Sequence, residues 1–242
     1  MNMRLSVIIP AYNEEKRLEA TLRSIDAYLK RQTYDYEIIV VNDGSKDGTA
    51  HLVNNLLSSI KGLRLIDNYE NHGKGYVVKQ GMLEAKSDLR LFTDADNSTS
   101  IDHLDKFVPY MDQGFDVIIG SIGVAGHKVA AGSEPLWRRV LGKLGNLFIQ
   151  IMAVPGISDT QRGFKLVSSK AANDIFPKLT ITRWGFDIEV LALARKFGYK
   201  IKELPVDWKN DPNSTVGINA YKQVLVETVK IRLNLMTGVY NK

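Results

Sequence analysis

Residues Leu89–Asn97 read Leu-Arg-Leu-Phe-Thr-Asp-Ala-Asp-Asn, an apolar run ended by two carboxylates, Asp94 and Asp96, one residue apart. In extended backbone, residues i and i+2 project to the same side. Both acids would therefore face one small volume just past a strand's C-terminal end, where open α/β sheets bind ligands. Two hard oxygen donors with no soft ligand beside them suit Mg²⁺ or Mn²⁺, ions usually held together with substrate phosphates. A lone Asp-x-Asp is also a common solvated turn, so its meaning depends on what else the chain brings to it. One such contribution is Asn71-His72-Gly73-Lys74-Gly75. Two glycines flanking a lysine let backbone approach an anion closely, with the lysine as counter-charge and a helix N-terminus behind it. The spacing is not that of the eight-residue P-loop, and a plain glycine turn fits the same residues.

The elements that must position these groups alternate. Leu5–Pro10 is a buried-type strand that Pro10 should end. Asn13 should cap a helix running to about Arg31, with Leu18, Leu22, Ile25 and Leu29 at helical spacing. Tyr36–Asn42 is a second strand, followed by the polar loop Asp43-Gly44-Ser45-Lys46-Asp47-Gly48-Thr49, in which Asp47 or Thr49 opens the next helix. Leu63–Asp67 is a third strand, the run before Asp94 a fourth, and Phe115–Gly120 a fifth. A short helix from about Ile101 should end or kink at Pro109. This βαβαβαβαβ order, with β-branched and nearly all-apolar strands, predicts an α/β fold with a mostly parallel, Rossmann-like sheet covered on both faces. Later come a helix over Leu136–Val154 stopped by Pro155-Gly156, a short strand ending near Val167, a helix from Arg183–Glu189 to Phe197, a strand over Tyr199–Val206 and a closing helix over Ile218–Leu235. The expected organisation is one domain over residues 1–216 and a C-terminal helical elaboration over 217–242.

Composition bounds the partners. The 242 residues carry a net charge of +5, with 44% hydrophobic and 24% charged residues, ordinary for a globular chain. The mild basic excess favours anionic partners. Nucleic acid is not expected, because no basic block with interleaved aromatics occurs. With no cysteine, disulfides and thiolate chemistry are excluded. The first residues run directly into a strand, without the pattern of a signal peptide. No apolar segment reaches the roughly 18–20 residues that span a bilayer. No Gly-x-Gly-x-x-Gly follows the first strand, which disfavours a dinucleotide-dependent oxidoreductase.

Five motifs stand in one order: Pro10-x-Tyr12-Asn13-Glu14, Asn42-Asp43-Gly44-Ser45-x-Asp47-Gly48-Thr49, Asn71-x-Gly73-Lys74-Gly75, Asp94-x-Asp96 and Asp159-Thr160-Gln161-x-Gly163-Phe164-Lys165. Together they resemble the family 2 glycosyltransferases of GT-A fold over about residues 4–216. Within these, Trp184-Gly185-Phe186-Asp187-x-Glu189 and Val206-x-Trp208-x-Asn210 are similar to the dolichyl-phosphate β-glucosyltransferase and polyprenyl-phosphate branch. The resemblance implies a nucleotide-sugar donor, UDP-linked in preference to GDP-linked, with Pro10, Tyr12, Glu14, Asn42, Asp43, Lys74 and Asp94 around the nucleotide. It implies Asp94 and Asp96 as metal ligands, and Asp96, Asp159 and Asp187 as catalytic candidates. A polyprenyl-phosphate acceptor is already an anion at neutral pH, so cations to hold it matter more than a base, and Arg138 and Arg139 are the candidates, with Lys143 behind them. Direct displacement would invert the anomeric centre. A hydroxyl acceptor would instead need Asp159, Asp187 or Glu189 as base, and a nucleotide-sugar-binding module without catalysis is a further alternative.

Three positions depart from the family pattern: Ile122 stands where an arginine is frequent, Arg162 where a cysteine or small residue is, and Thr215 where a lysine is. Leu136–Val154 and Ile218–Leu235 are both apolar and basic. Such helices can lie in a headgroup interface with cations toward anionic lipid. They predict a protein held peripherally at the cytoplasmic face of a membrane.

Overall fold

The computed structural model describes residues 3–126, 136–208 and 218–241. The strands are β1 (Met3–Ala11), β2 (Asp35–Asp43), β3 (Leu63–Asn68), β4 (Leu89–Thr93), β5 (Val117–Ser121), β6 (Phe164–Ser168) and β7 (Ile201–Pro205). The helices are α1 (Leu18–Leu29), α2 (Thr49–Leu56), α3 (Lys74–Glu84), α4 (Leu104–Asp112), α5 (Leu136–Met152), α6 (Ser169–Ile175), α7 (Phe186–Lys196) and α8 (Ile218–Thr237). One seven-stranded sheet has the order β3-β2-β1-β4-β6-β5-β7. Alternation along its strands feeds two apolar layers. Ile8, Ile39, Val41 and Phe92 face α3, α6, α7 and α8, while Val7, Ile9, Ile38, Val40 and Leu91 face α1, α2 and α4. Strands buried on both faces have no polar side to show, hence their unbroken apolar runs.

The sheet is mixed where the sequence predicted parallel pairing throughout the first five strands. β6 lies between β4 and β5 and is antiparallel to both, whereas β5 and β7 pair in parallel. Apolar runs state that a strand is buried and not which neighbour it takes, so the insertion is a tertiary outcome. Its consequence for the site is large. The C-terminal ends of β1 to β5 and β7 and the N-terminal end of β6 all open on one edge, with Thr93 opposite Phe164 and Ser121 opposite Pro205.

Four local expectations change. Pro10 does not end β1; it lies in register with Val41, past the last β4 pair at Ile8 and Phe92, so there the strand needs hydrogen bonds on one side only. Asn13 does not cap α1. It takes a left-handed backbone, and its Oδ1 accepts from the Lys46 N–H at 2.8 Å while α1 begins at Leu18. Pro109 sits inside α4, which runs on to Asp112, so of the two expected effects the helix does not end at it. The short α6 was not expected; Ser168 caps it by accepting from the Ala171 N–H at 3.2 Å. The C-terminal α8 packs against α5 and α7 and joins the same apolar layer through Val224 and Ile231, so it is built into the domain.

Candidate active site

The loops after β1 and β2 are bound to each other. Asn13 N–H donates to Ser45 Oγ (2.9 Å), Glu14 N–H to Thr49 Oγ1 (2.8 Å) and Glu15 N–H to Asp47 Oδ2 (3.2 Å); in return Glu15 Oε2 accepts from Gly48 N–H (2.7 Å). Asn42 and Asp43, at the end of β2, are buried. Asn42 Nδ2 donates to Asp67 Oδ1 at 2.6 Å, and its Oδ1 accepts from the Ser45 N–H. Asp43 accepts from His72 N–H (2.7 Å), Gly73 N–H (3.0 Å) and Asn71 Nδ2 (2.9 Å). Burial raises the Asp43 pKa, against the pull of the two backbone N–H groups. Both residues therefore shape the loops on either side of them, and Tyr12, just past the strand, is an exposed aromatic side chain of this wall.

That use of Asp43 sets Lys74. Gly73 takes φ 100°, and a Cβ there would stand 2.5 Å from Thr182 O, so only glycine lets the start of α3 meet the segment before α7. Lys74, the first helical residue, reaches Asp94 Oδ1 at 2.7 Å. Its Nζ lies 5.4 Å from the Phe92 ring centre and 5.8 Å from that of Trp184. Burial alone would lower the Lys74 pKa, but Asp94 and Asp187 outweigh it and the net shift is upward. Lys74 is thus a fixed cation at the carboxylate pair.

Asp94 and Asp96 flank the buried Ala95 just past the end of β4 at Thr93, where the chain turns and is no longer extended, and both are partly exposed. Asp94 packs on Gly163, where a Cβ would fall 2.0 Å from its Oδ2. Asp96 accepts from the Ser98 N–H at 2.9 Å. Glu14 faces the pair; burial raises its pKa, Arg17 opposes this from 2.7 Å, and Asp96 and Asp94 add to the rise. Among the described residues no group of three or more His, Cys, Asp or Glu side chains forms a cage for a metal. Two half-open carboxylates on a glycine-cleared floor fit a Mg²⁺ or Mn²⁺ that completes its shell with ligand phosphate and water.

Behind this front lies a buried charge pair. Lys165, on β6, is 2% exposed and Asp187, in the first turn of α7, 3%; they meet at 2.6 Å. Burial raises the Asp187 pKa against the opposing charges of Lys165 and Lys74. Asp187 is a counter-ion in the floor, not a base on an open surface. Glu189, likewise, is fully buried and accepts from Thr180 N–H, Thr180 Oγ1, Ile181 N–H and Tyr240 Oη. Sequence reading gave Lys165 no role, although a lysine inside a buried strand is itself a signal, since such a charge must be paired.

Asp159 stands farther along the same edge. Its Oδ2 accepts from Ile122 N–H (3.2 Å) and Arg162 Nε (2.9 Å), and Glu203 holds its loop through the Ser158 and Asp159 N–H groups. The Arg162 guanidinium stacks 4.4 Å from the Trp208 ring centre. Arg162 thus places a cation beside Ile122, where the family pattern has one. The side chains of Arg138, Arg139 and Lys143, and Asn210 and Thr215, lie outside the described residues.

Residues 6–176 match the family model for glycosyl transferase family 2. A dolichyl-phosphate beta-glucosyltransferase of Trichomonas vaginalis is 35% identical over 243 residues, covering 96% of this chain and 72% of that protein. Proteins of the same name from Dictyostelium discoideum and Homo sapiens are 34% and 32% identical, covering 99% and 98% of this chain and 77% of each. Among solved structures, glucosyl-3-phosphoglycerate synthase from Mycobacterium tuberculosis in complex with Mn²⁺, UDP and glucosyl-3-phosphoglycerate superposes with a TM-score of 0.66 at 20% identity, over 95% of this chain and 80% of that one. With the strand order and the edge site in place, the chain belongs to glycosyl transferase family 2, in the GT-A fold, and is a hexosyltransferase.

Proposed function

We propose that this enzyme transfers glucose from UDP-glucose to a polyprenyl phosphate of the dolichyl class, with inversion, at a membrane surface. The observation that carries the reading is the convergence of Asp94, Asp96, Lys74 and Glu14 on one edge of the sheet, in a chain whose relatives bear the name dolichyl-phosphate beta-glucosyltransferase. Tyr12 and Glu14 would flank the nucleoside. Pro10, Asn42 and Asp43 would shape its pocket from behind, with Asp43 acting chiefly through the 71–73 loop. Asp94 and Asp96 would hold Mg²⁺ or Mn²⁺, which supplies charge neutralisation for the diphosphate. Lys74 donates to the same oxygens, so negative charge that grows on the departing nucleoside diphosphate meets a cation already in place.

A phosphate acceptor needs no strong base, and the burial of Asp187 and Glu189 agrees with that. Acceptor phosphate would be held by Arg138 and Arg139, together with Arg162 beside Asp159. Lipid access is supported by the two helices at this end. On α8, Leu225, Val226, Leu233 and Met236 are exposed along one arc with Lys222, Lys230 and Arg232, while its only carboxylate, Glu227, turns inward. On α5, which packs against it, Leu144, Leu147 and Ile151 are exposed in line. An outward face of apolar and cationic residues without an acid suits an anionic lipid interface. Among the described residues no helix is long and apolar enough to cross a membrane.

Thermal midpoints against UDP- and GDP-sugars, with Mg²⁺ or Mn²⁺ and with neither, test the donor. UDP-glucose with metal should give the largest rise, since a ligand of the native state alone must raise the midpoint. Transfer to a short polyprenyl phosphate tests the acceptor. A larger rise with GDP-sugars, or transfer to free sugars and not to lipid phosphate, would overturn the reading.

A further inference from the structure

We propose that Glu227, on the C-terminal helix, is a positioning residue for Lys74 and Trp184. Its carboxylate Oε2 accepts from the Gly185 N–H at 2.6 Å, and Gln223 Nε2 steadies the other oxygen at 2.9 Å. The contact is close: a Cβ on Gly185 would lie 2.8 Å from Glu227 Cβ, so the backbone of the segment before α7 rests directly on this side chain. Trp184, adjacent to that bond, covers the Lys74 ammonium. Two residues earlier, Thr182 O accepts from the Tyr76 N–H at 3.1 Å, which ties the same segment to the first turn of α3. A second anchor closes the other side: Tyr240 Oη donates to Glu189 at 2.6 Å, and Asn234 Nδ2 donates to Thr180 Oγ1 at 3.1 Å. The segment from Thr180 to Phe186 is therefore held between the helix that carries Lys74 and the helix whose outer face is apolar and cationic.

The chemistry explains why an acid stands there. A carboxylate accepting from a backbone N–H makes one of the stronger neutral-to-charged hydrogen bonds. Turned outward, Glu227 would place a negative charge on the cationic face; turned inward, it fixes Gly185. Trp184 lies over the Lys74 ammonium and Thr182 bonds the first turn of α3, so Glu227 acts on the site through them and not by touching a ligand.

The kinetic arm of the test rests on the proposed transfer; the spectroscopic arm does not. In the full chain, Glu227→Ala should shift Trp184 emission to the red and increase its acrylamide quenching, and Glu227→Gln, which keeps an acceptor oxygen, should restore both. The difference should vanish in a Trp184→Phe background, leaving Trp137 and Trp208 as the remaining emitters. With donor and metal, Glu227→Ala should raise the donor KM by about tenfold, the equivalent of one charge-assisted hydrogen bond, with a smaller fall in kcat. Gly185→Ala, which pushes a methyl group against Glu227, should reproduce the phenotype and serves if Glu227→Ala fails to fold. Wild-type emission and donor KM in Glu227→Ala, or a Glu227→Gln as impaired as the alanine variant, would overturn the assignment. An emission change that survives Trp184→Phe would do the same. If the chain transfers no sugar at all, emission still decides, so the two readings fail separately.

Discussion

The loops after β1, β2 and β3 and the helix pair α5–α8 both hold the site, but by opposite means. The loops are joined by side chain to backbone bonds: Asn13, Glu15, Asn42, Asp43, Ser45, Asp47 and Thr49 each accept from a main-chain N–H. Such bonds require particular residue types at particular places. The helices are held by apolar packing through Ile149, Val224 and Ile231, with an acidic contact at Glu227. Packing asks only for size and apolarity, within limits. The first region is therefore chemically specified and rigid, and the second is free to carry an outward face devoted to something else. On the proposed reading the loops would form the donor side and the outer faces of α5 and α8 the acceptor side, with Glu227 as the link through which the helices reach the donor side.

The sharpest break of that contrast lies at Asp96. Asp96→Asn keeps an oxygen for the Ser98 N–H and sits at a half-open position, so its thermal midpoint should stay near that of the native chain. Transfer should nevertheless fall by on the order of 10²–10³-fold, the scale seen when a group that stabilises developing charge is removed. Leu233→Glu, on the outer arc of α8, should leave the donor KM unchanged in detergent and weaken only binding to anionic vesicles, since it removes apolar area and adds a negative charge. Steady-state rates with donor, metal and lipid phosphate check the first variant, and those rates with vesicle flotation check the second. An Asp96→Asn variant keeping a tenth or more of the native rate would remove the carboxylate pair from the chemistry.

Asp43 separates structural specification from ligand contact within the loop region. In Asp43→Asn one carboxylate oxygen becomes an amide N–H₂ pointed at N–H donors of the 71–73 loop. A buried donor left without an acceptor costs about 1–3 kcal/mol, or roughly 3–9 °C of midpoint for a chain of this size. Donor affinity should fall with it, because Lys74 follows directly on that loop. Calorimetry of the ligand-free chain reads the first effect. A midpoint equal to that of the native chain, with donor binding lost, would make Asp43 a direct contact of the nucleotide instead.

The same contrast explains what was legible from the residues alone. Asp94-x-Asp96, Gly73-Lys74 and the 42–49 loop are visible because their chemistry fixes residue types, and the strands are visible because burial on both faces leaves apolar runs. The position of β6 was not visible: the run Phe164–Ser168 carries no mark of which strands it will join. Neither was the work of Glu227, Glu189 and Tyr240, because the Glu227–Gly185 and Tyr240–Glu189 bonds join residues 42 and 51 positions apart in sequence. Asp187 was visible as an acid beside a helix start, yet its role depends on Lys165, which only the fold brings to it. Lys165 could have been flagged as a charge inside an apolar strand, although nothing local names its partner.

The smallest expected effect falls at the seam between the two regions. His103 follows the Asp94–Ser100 loop and is buried against Phe164, and its Nε2 accepts from the Asp207 N–H at 3.1 Å, next to Trp208. Burial lowers its pKa, Lys106 adds to the fall, and Asp207 and Asp102 oppose it. The folded chain therefore favours the neutral imidazole that can accept this bond. A His lowered in the fold contributes stability that is complete above its unfolded pKa of about 6.5 and is lost as the pH falls through the folded value. His103→Gln keeps an acceptor at a comparable reach and removes the titration. Between pH 7 and pH 5 the native midpoint should drop more steeply than that of His103→Gln, by on the order of a degree or two. The Trp208 environment should loosen in step, since Arg162 and Trp208 are stacked beyond the same segment. Parallel slopes for the two proteins would mean that the bond to Asp207 does not join the donor and acceptor walls, and that each is held by its own contacts alone.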